Sequence, residues 1–124
     1  MGPHQWGWPL NSTLIRGDLL LADLEPAVGS EVSKTRPCVV VSNNRANLTS
    51  PTVTVVPITS NTAWVYPFQV FLPREVSGLD LDSKAQAEQV RTLDRSCMGR
   101  KLGQLSPELL RELDAALKLH LGLG

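Results

Sequence analysis

The sequence contains few cysteines, no long apolar run and no excess of charge. Cys38 and Cys97 are the only cysteines among 124 residues. No cysteine or histidine stands near them at zinc-ligand spacing, so neither a disulfide framework nor a structural metal site is indicated. No apolar stretch approaches the roughly 18 residues of a membrane span, and no basic region precedes an apolar block at the N-terminus. These absences predict a cytoplasmic protein with reduced thiols, no membrane segment and no cofactor.

The charges balance overall but are unevenly distributed. Twelve Lys and Arg residues match twelve Asp and Glu residues, and the pI is about 6.7. A neutral chain does not hold nucleic acid through bulk positive charge, so any site for a polyanion must be local. One cluster comprises Arg91, Arg95, Arg100 and Lys101, with Asp94 as its only acid. It indicates either a basic patch or a solvated surface strand.

The composition is that of a globular protein, with 42% hydrophobic and 19% charged residues, and the length suits one domain. Residues 1–13 show no hydrophobic period and are interrupted by glycine and proline. We therefore predict a flexible arm over residues 1–13 and a single domain over residues 14–124.

Short apolar runs bounded by turn residues predict strands. They are Leu19–Ala22, Pro37–Val41, Thr52–Ile58 and Phe68–Leu72. Residues 83–92 are ambiguous, because the first half favours a helix and the second half a strand. Ser106, Pro107 and Glu108 form a helix start, followed by leucines at helical spacing until Gly122. This order predicts a small antiparallel barrel with a C-terminal helix.

Polar groups concentrate in the loop of residues 26–37, between two predicted strands. Arg36 precedes Pro37, which favours an extended backbone and projects the guanidinium from a strand mouth. Such a guanidinium is suited to a phosphodiester, or it forms an ion pair with Glu31 in the same loop. After the third strand comes the run Thr59 to Thr62, which alone is typical of an ordinary turn.

Together these segments resemble the MazF/PemK family of toxin endoribonucleases. The matching blocks are Arg16-Gly17-Asp18, Gly29 to Pro37, Pro57-Ile58-Thr59-Ser60 and Gln89-Val90-Arg91-Thr92-Leu93-Asp94. They stand in the family's order, and the resemblance covers roughly residues 15–121. A set of four ordered blocks is more specific than any one of them.

The chain departs from the family pattern at two positions and from some relatives at two more. Val32 stands where Gln is common, which removes one polar loop contact, and Leu93 replaces Ile conservatively. Some plasmid-borne relatives carry a catalytic His at the position of Ser30 and an Arg at that of Gln86. A mechanism that depends on those two groups is therefore not transferred.

The resemblance implies an SH3-like (CcdB/MazF/PemK-like) barrel, mainly β with α, that acts as a homodimer and as the toxin of a type II toxin–antitoxin system. It further implies sequence-specific, metal-independent cleavage of single-stranded RNA by attack of the ribose 2′-hydroxyl, and a MazE-like antitoxin as partner. His4 lies in the arm and His120 on the predicted helix, so neither is placed for acid–base work.

Site roles follow from the resemblance. Arg36 would neutralise the transition state, and Thr59 would donate a hydrogen bond to a nonbridging oxygen. Glu31 would orient Arg36 or accept the 2′-hydroxyl proton. The predicted substrate-binding residues are Ser30, Ser60, Asn61, Gln89 and Arg91.

Two alternative functions remain for the same barrel, a non-catalytic CcdB-like gyrase poison and a protein-interaction module.

Overall fold

A computed structural model of the chain describes residues 13–25 and 34–124. In these ranges the strands are β1 Asp18–Glu25, β2 Lys34–Val40, β3 Thr52–Thr59, β4 Gln69–Leu72, β5 Ser83–Gln86, β6 Arg91–Asp94 and β7 Met98–Gln104. The α-helices are α1 Asn44–Thr49, α2 Arg74–Ser77 and α3 Pro107–Leu121, and short 3-10 turns cover Ala87–Gln89 and Arg95–Cys97.

The seven strands form one antiparallel sheet. Its order is β4-β5-β3-β2-β1-β7, and β6 pairs with β3 outside this path. The predicted fold class, an antiparallel β fold with a C-terminal helix, is confirmed. The sheet is not closed into a full barrel, since no ladder between the described strands joins β4 to β7.

Strand β3 changes its partner along one edge. Its first half, from Thr52 to Val55, pairs with β6, and its end, Ile58 and Thr59, pairs with β5. Pro57 lies between the β6 ladder and the β5 ladder. Because proline has no backbone N–H group, no hydrogen-bond donor of this residue is left without a partner at the gap. This change of partner brings β5 against the end of β3.

The strands carry near-continuous apolar runs, and both faces of the sheet are buried. One cluster packs the sheet against α3, with Val39, Val56 and Leu113 among its members. The other consists mainly of residues from β1, β2, β3, β6 and β7, including Cys38 and Val55. Neighbouring residues of one strand thus belong to opposite faces, as strand alternation requires.

Helix α3 begins and ends where its sequence signals predict. The Ser106 hydroxyl accepts a hydrogen bond from the Leu109 N–H at 3.2 Å, and Gly122 ends the helix at a φ of 70°. Arg16 fastens the helix to the sheet: its guanidinium pairs with Asp114, and its Nε donates to the Val41 carbonyl at 2.9 Å. The Arg16-Gly17-Asp18 block therefore has a structural role at the start of β1.

The four predicted strands are present with slightly different ends. The ambiguous segment resolves into β5, a 3-10 turn and β6, so it contains no α-helix. Sequence patterns missed β7, α1 and α2. Residues 1–12 of the predicted arm and residues 26–33 of the polar loop lie outside the described residues, so the division at residue 14 stays a prediction. None of the described helices is long and apolar enough to cross a membrane.

Candidate functional site

Arg36 and Thr59 lie at the same end of two adjacent strands. In the β2–β3 ladder Cys38 pairs with Pro57 and Val40 with Val55. Arg36 lies two residues before Cys38 and Thr59 lies two residues after Pro57, so both follow the last pair of this ladder at the same end of the two strands. Because side chains alternate between faces, both residues belong to one face of the sheet. Arg36 also lines a cavity beside this strand end, whereas Thr59 is not among the described lining residues. That the two residues act together stays a prediction.

The Thr59 hydroxyl is already oriented by its own turn. Its Oγ1 accepts a hydrogen bond from the Asn61 N–H at 3.2 Å, and the Asn61 Oδ1 accepts one from the Ala63 N–H at 3.3 Å. A hydroxyl has one hydrogen and two lone pairs, so an oxygen that accepts here can still donate its hydrogen elsewhere. Thr59 is half-buried at the strand end. This arrangement suits a donor to a phosphate oxygen.

A cavity of about 490 Å³ adjoins this strand end. Thr35, Arg36 and Ser60 contribute to its wall from β2 and from the turn after β3, and Arg100 and Lys101 contribute from β7. Among the described residues that line it, Asp80 is the only acidic one, against three basic ones. This part of the lining therefore carries a net positive charge although the chain as a whole is neutral, which favours an anionic ligand.

Part of that positive charge is compensated. Lys101 Nζ lies 3.2 Å from the Oδ1 of Asp18, whose side chain is 1% exposed. Asp18 also accepts hydrogen bonds from the Gln104 side chain and the Ile15 N–H, both at 2.9 Å. Such a network holds β7 on β1 and fixes Lys101 in place. Arg100 is exposed, and the ion pairs among the described residues leave its guanidinium available to a ligand.

The structure brings only some of the predicted binding residues to this cavity. Ser60 lines it, and Asn61 follows directly in the exposed turn. Gln89 and Arg91 lie elsewhere: Gln89 ends a 3-10 turn, and Arg91 pairs with Val55. Val55 and Thr59 are four residues apart on β3, about 13 Å at strand rise. Contact of Gln89 and Arg91 with the same ligand would require an extended molecule.

The predicted basic cluster does not form one patch. Arg95 is buried, and its guanidinium donates to the Asn47 carbonyl at 2.5 Å. Burial lowers the pKa of Arg95 from its usual value. Arg91 lies on β6, which pairs with β3, whereas Arg100 and Lys101 lie on β7, which pairs with β1. Sequence proximity was misleading because the strands join different parts of the sheet.

Two predicted residues, Ser30 and Glu31, lie outside the described residues. In residues 13–25 and 34–124, no cluster of three His, Cys, Asp or Glu side chains is placed to hold a metal ion.

Of the two thiols, Cys38 is buried and Cys97 is half-buried. Burial raises the pKa of Cys38 to about 12, so this thiol stays protonated at neutral pH.

The chain is similar to known proteins over most of its length. Residues 15–121 match a family described as the PemK-like, MazF-like toxin of type II toxin–antitoxin systems. The chain is 51% identical over 113 residues to Endoribonuclease MazF9 of Mycobacterium tuberculosis (strain ATCC 25618 / H37Rv), covering 87% of this chain and 96% of that protein.

Solved structures show the same fold. A crystal structure of MazF from Deinococcus radiodurans superposes with a TM-score of 0.75 at 28% identity, covering 91% of this chain and 100% of that one. A mycobacterial endoribonuclease in complex with its cognate antitoxin gives a TM-score of 0.72 at 26% identity, covering 90% and 97%.

Proposed function

We propose that Arg36 and Thr59 are the catalytic residues of this chain, which belongs to the PemK-like, MazF-like toxin family of type II toxin–antitoxin systems. The chain is a MazF-type endoribonuclease toxin. Membership in this family favours the nuclease over the gyrase-poison and interaction-module alternatives. The observation that supports the residue assignment is that the exposed Arg36 and the hydroxyl of Thr59 each lie two residues beyond the Cys38–Pro57 pair, at the same end of β2 and β3.

The proposed reaction needs only the RNA, this site and solvent. The ribose 2′-hydroxyl loses its proton as its oxygen attacks the adjacent phosphorus, and the bond to the 5′-oxygen breaks. The leaving 5′-oxygen takes up a proton from water, so the products end in a 2′,3′-cyclic phosphate and a 5′-hydroxyl. Negative charge grows on the nonbridging oxygens in the transition state. Arg36 neutralises this charge, and the Thr59 hydroxyl donates to one of these oxygens. In this proposal Glu31 orients Arg36 or accepts the 2′-hydroxyl proton.

The substrate is proposed to be single-stranded mRNA, cleaved at specific sequences in the cytoplasm. Unpaired bases expose edges that polar side chains can read. Ser60 and Asn61 stand beside the reacting phosphate in this scheme, while Gln89 and Arg91 contact nucleotides farther along the strand. Ser30 completes the proposed set. An extended RNA accounts for the separation of these groups along β3.

We propose a homodimer as the active form. Leu119, Leu121 and Leu123 are each more than half exposed at the end of α3, and burial against a second copy would remove this apolar surface from water. Sedimentation equilibrium should give twice the chain mass of 13.5 kDa. A monomer at tens of micromolar would contradict the dimer.

A MazE-like antitoxin is the proposed partner. Related structures include an endoribonuclease with its cognate antitoxin and a MazE–MazF complex from Deinococcus radiodurans. The positively charged cavity beside Arg36 suits an acidic segment of such a partner, because a protein carboxylate and an RNA phosphate are both anions that accept hydrogen bonds.

The experiment that tests the function is incubation of the protein with a long single-stranded RNA in the presence of EDTA. We expect discrete fragments, because neither proposed catalytic group depends on a metal ion. Fragment ends identify the chemistry: a cyclic phosphate matches 2′-hydroxyl attack. Intact RNA in EDTA, with cleavage restored by Mg²⁺, would contradict the metal-independent mechanism.

A further inference from the structure

The loop between β3 and β4 carries an exposed indole, that of Trp64, and starts at the proposed catalytic Thr59. The Trp64 side chain is 73% exposed, and Val65 and Tyr66 beside it are also exposed. Single exposed apolar residues are ordinary on a protein surface. This one differs because its backbone is bound to the strand that flanks Thr59.

A buried lysine provides that bond. Lys84 Nζ donates a hydrogen bond to the Trp64 carbonyl at 2.5 Å, although Lys84 is only 7% exposed. An ammonium group out of water costs free energy unless it is hydrogen-bonded. The need of Lys84 for an acceptor therefore keeps the Trp64 backbone at one position.

The same lysine is the cross-strand neighbour of Thr59. Thr59 pairs with Lys84 in the β3–β5 ladder, and Phe71 pairs with Lys84 in the next ladder. On the other side of β3, Arg36 lies two residues before Cys38, at the same end of the sheet as Thr59. Directly opposed Cβ atoms lie about 5 Å apart. Lys84 thus connects the proposed catalytic pair to the loop that carries Trp64.

The loop is fixed at both ends as well. At its start the Asn61 N–H donates to the Thr59 hydroxyl oxygen at 3.2 Å. At its end the Tyr66 N–H donates to the Gln69 side chain at 3.1 Å, and the Gln69 N–H donates to the Tyr66 carbonyl at 2.9 Å. Because the backbone of this loop is held at these points, little backbone conformational entropy is lost when a ligand binds to it.

We propose that Trp64 stacks on an unpaired base of the RNA substrate, and that Lys84 is the positioning residue that holds Trp64 beside Thr59. This inference rests on the proposed function, because it takes single-stranded RNA as the ligand and Thr59 as part of the site. Splayed bases of single-stranded RNA stack on aromatic side chains, and every base offers a face for it. The stack supplies binding to the substrate, while Arg36 and Thr59 act on the reacting phosphate.

Fluorescence reports the stack directly. The chain has three tryptophans, so the double variant Trp6→Phe/Trp8→Phe leaves Trp64 as the only one. This protein is titrated with an RNA that it cleaves, prepared with 2′-O-methyl riboses so that the nucleophile is blocked. We expect quenching of Trp64 emission that saturates with the binding curve.

The contribution of the Trp64 stack to RNA affinity is tested by measuring the binding of the same RNA to variants. Trp64→Ala should weaken binding about tenfold, and Trp64→Phe should stay within about threefold of the parent because it keeps an aromatic face. Leu48→Ala is the matched control, since Leu48 is 68% exposed on α1, away from the loop. It should leave affinity unchanged.

Kinetics on cleavable RNA test the positioning role. Lys84→Met removes the donor and should raise KM about tenfold while kcat stays within about threefold, because the loop binds substrate and does not act on the phosphate. Lys84→Arg keeps a cationic donor and should restore most of the affinity. If Lys84→Met fails to fold by circular dichroism, the Trp64 variants and Lys84→Arg decide the question.

Several results would overturn the inference. They are unchanged RNA affinity in Trp64→Ala, absence of quenching by bound RNA, and quenching by an antitoxin peptide but not by RNA, which would assign Trp64 to a protein interface. Equal loss of kcat in Lys84→Met would contradict positioning through the loop. Failure of the proposed catalytic site is separate: it would appear as full activity of Arg36→Ala, while RNA quenching of Trp64 would persist.

Discussion

Cys38 lies opposite Pro57 in the β2–β3 ladder, two residues from Arg36 on one strand and two from Thr59 on the other. The buried pair sets the register of the strand end at which the proposed catalytic groups stand. Shifting this register by one residue would move both side chains relative to each other and reverse the face of one strand. The apolar interior thus determines where the polar site forms.

Truncating either proposed catalytic side chain should abolish most cleavage without unfolding the protein. Arg36→Ala and Thr59→Ala each remove a group that stabilises transition-state charge, and we expect kcat to fall about 100-fold or more. Arg36 is exposed and Thr59 half-buried at a strand end, so no large core cavity results. Single-turnover cleavage and circular dichroism check both parts.

Arg45→Ala and Thr52→Ala are the matched controls for these variants. Arg45 is exposed on α1, and Thr52 is exposed at the opposite end of β3. Both should cleave RNA at the rate of the unmodified protein. A folded Arg36→Ala or Thr59→Ala variant within about threefold of that rate, a difference of roughly 0.7 kcal/mol in activation free energy, would remove the residue from the catalytic site.

Replacing ribose by deoxyribose at the scissile nucleotide should stop cleavage. The proposed nucleophile is the 2′-oxygen, and deoxyribose lacks it. The measurement compares an RNA with the same RNA carrying one deoxyribose at the mapped position; a deoxyribose several nucleotides away serves as control. Cleavage of the substituted position at the normal rate would show that another nucleophile attacks.

An antitoxin-derived acidic peptide should compete with RNA for the toxin. Arg36, Arg100 and Lys101 line the same cavity, and a disordered acidic segment can cover such a surface. We expect competition that weakens with salt, because exposed charges are screened. Titration of a toxin–RNA complex with the C-terminal peptide of the antitoxin checks it.

Arg100→Ala should weaken the peptide more than Arg91→Ala, since Arg100 lines the cavity and Arg91 lies on β6. Independent, simultaneous binding of peptide and RNA would place the antitoxin on another surface.

The Cys38 thiol should make stability depend on alkaline pH. Burial raises its pKa to about 12 in the folded protein, above the value near 8.5 of an exposed thiol. The folded state holds the proton more tightly, so this contribution is complete below about pH 8.5 and is lost as the pH rises toward 12. Thermal unfolding of the protein and of Cys38→Ala in reductant should show the two stabilities converging across this range. A constant difference would contradict the assignment to the thiol.

Elements whose signals are local could be located from the amino-acid sequence. Strand propensity and length identified β1 to β4, and the Ser106 cap with Gly122 identified α3, because these features depend on neighbouring residues. The ordered blocks also indicated the family. Arg36 and Thr59 could be named for the same reason, since each stands in a recognisable block next to a strand end.

Contacts between residues distant in the sequence became visible only in the folded structure. Secondary-structure propensity could not decide between helix and strand for residues 83–92. The first half of this segment is rich in helix-forming residues, but β5 and β6 form strands because they pair with β3. Arg95 does not belong to a surface patch, because its side chain is buried and its guanidinium is hydrogen-bonded to the Asn47 carbonyl. The bond from Lys84 to Trp64 spans twenty residues and follows from strand pairing. Such contacts depend on how apolar faces pack together, and that is a property of the whole chain.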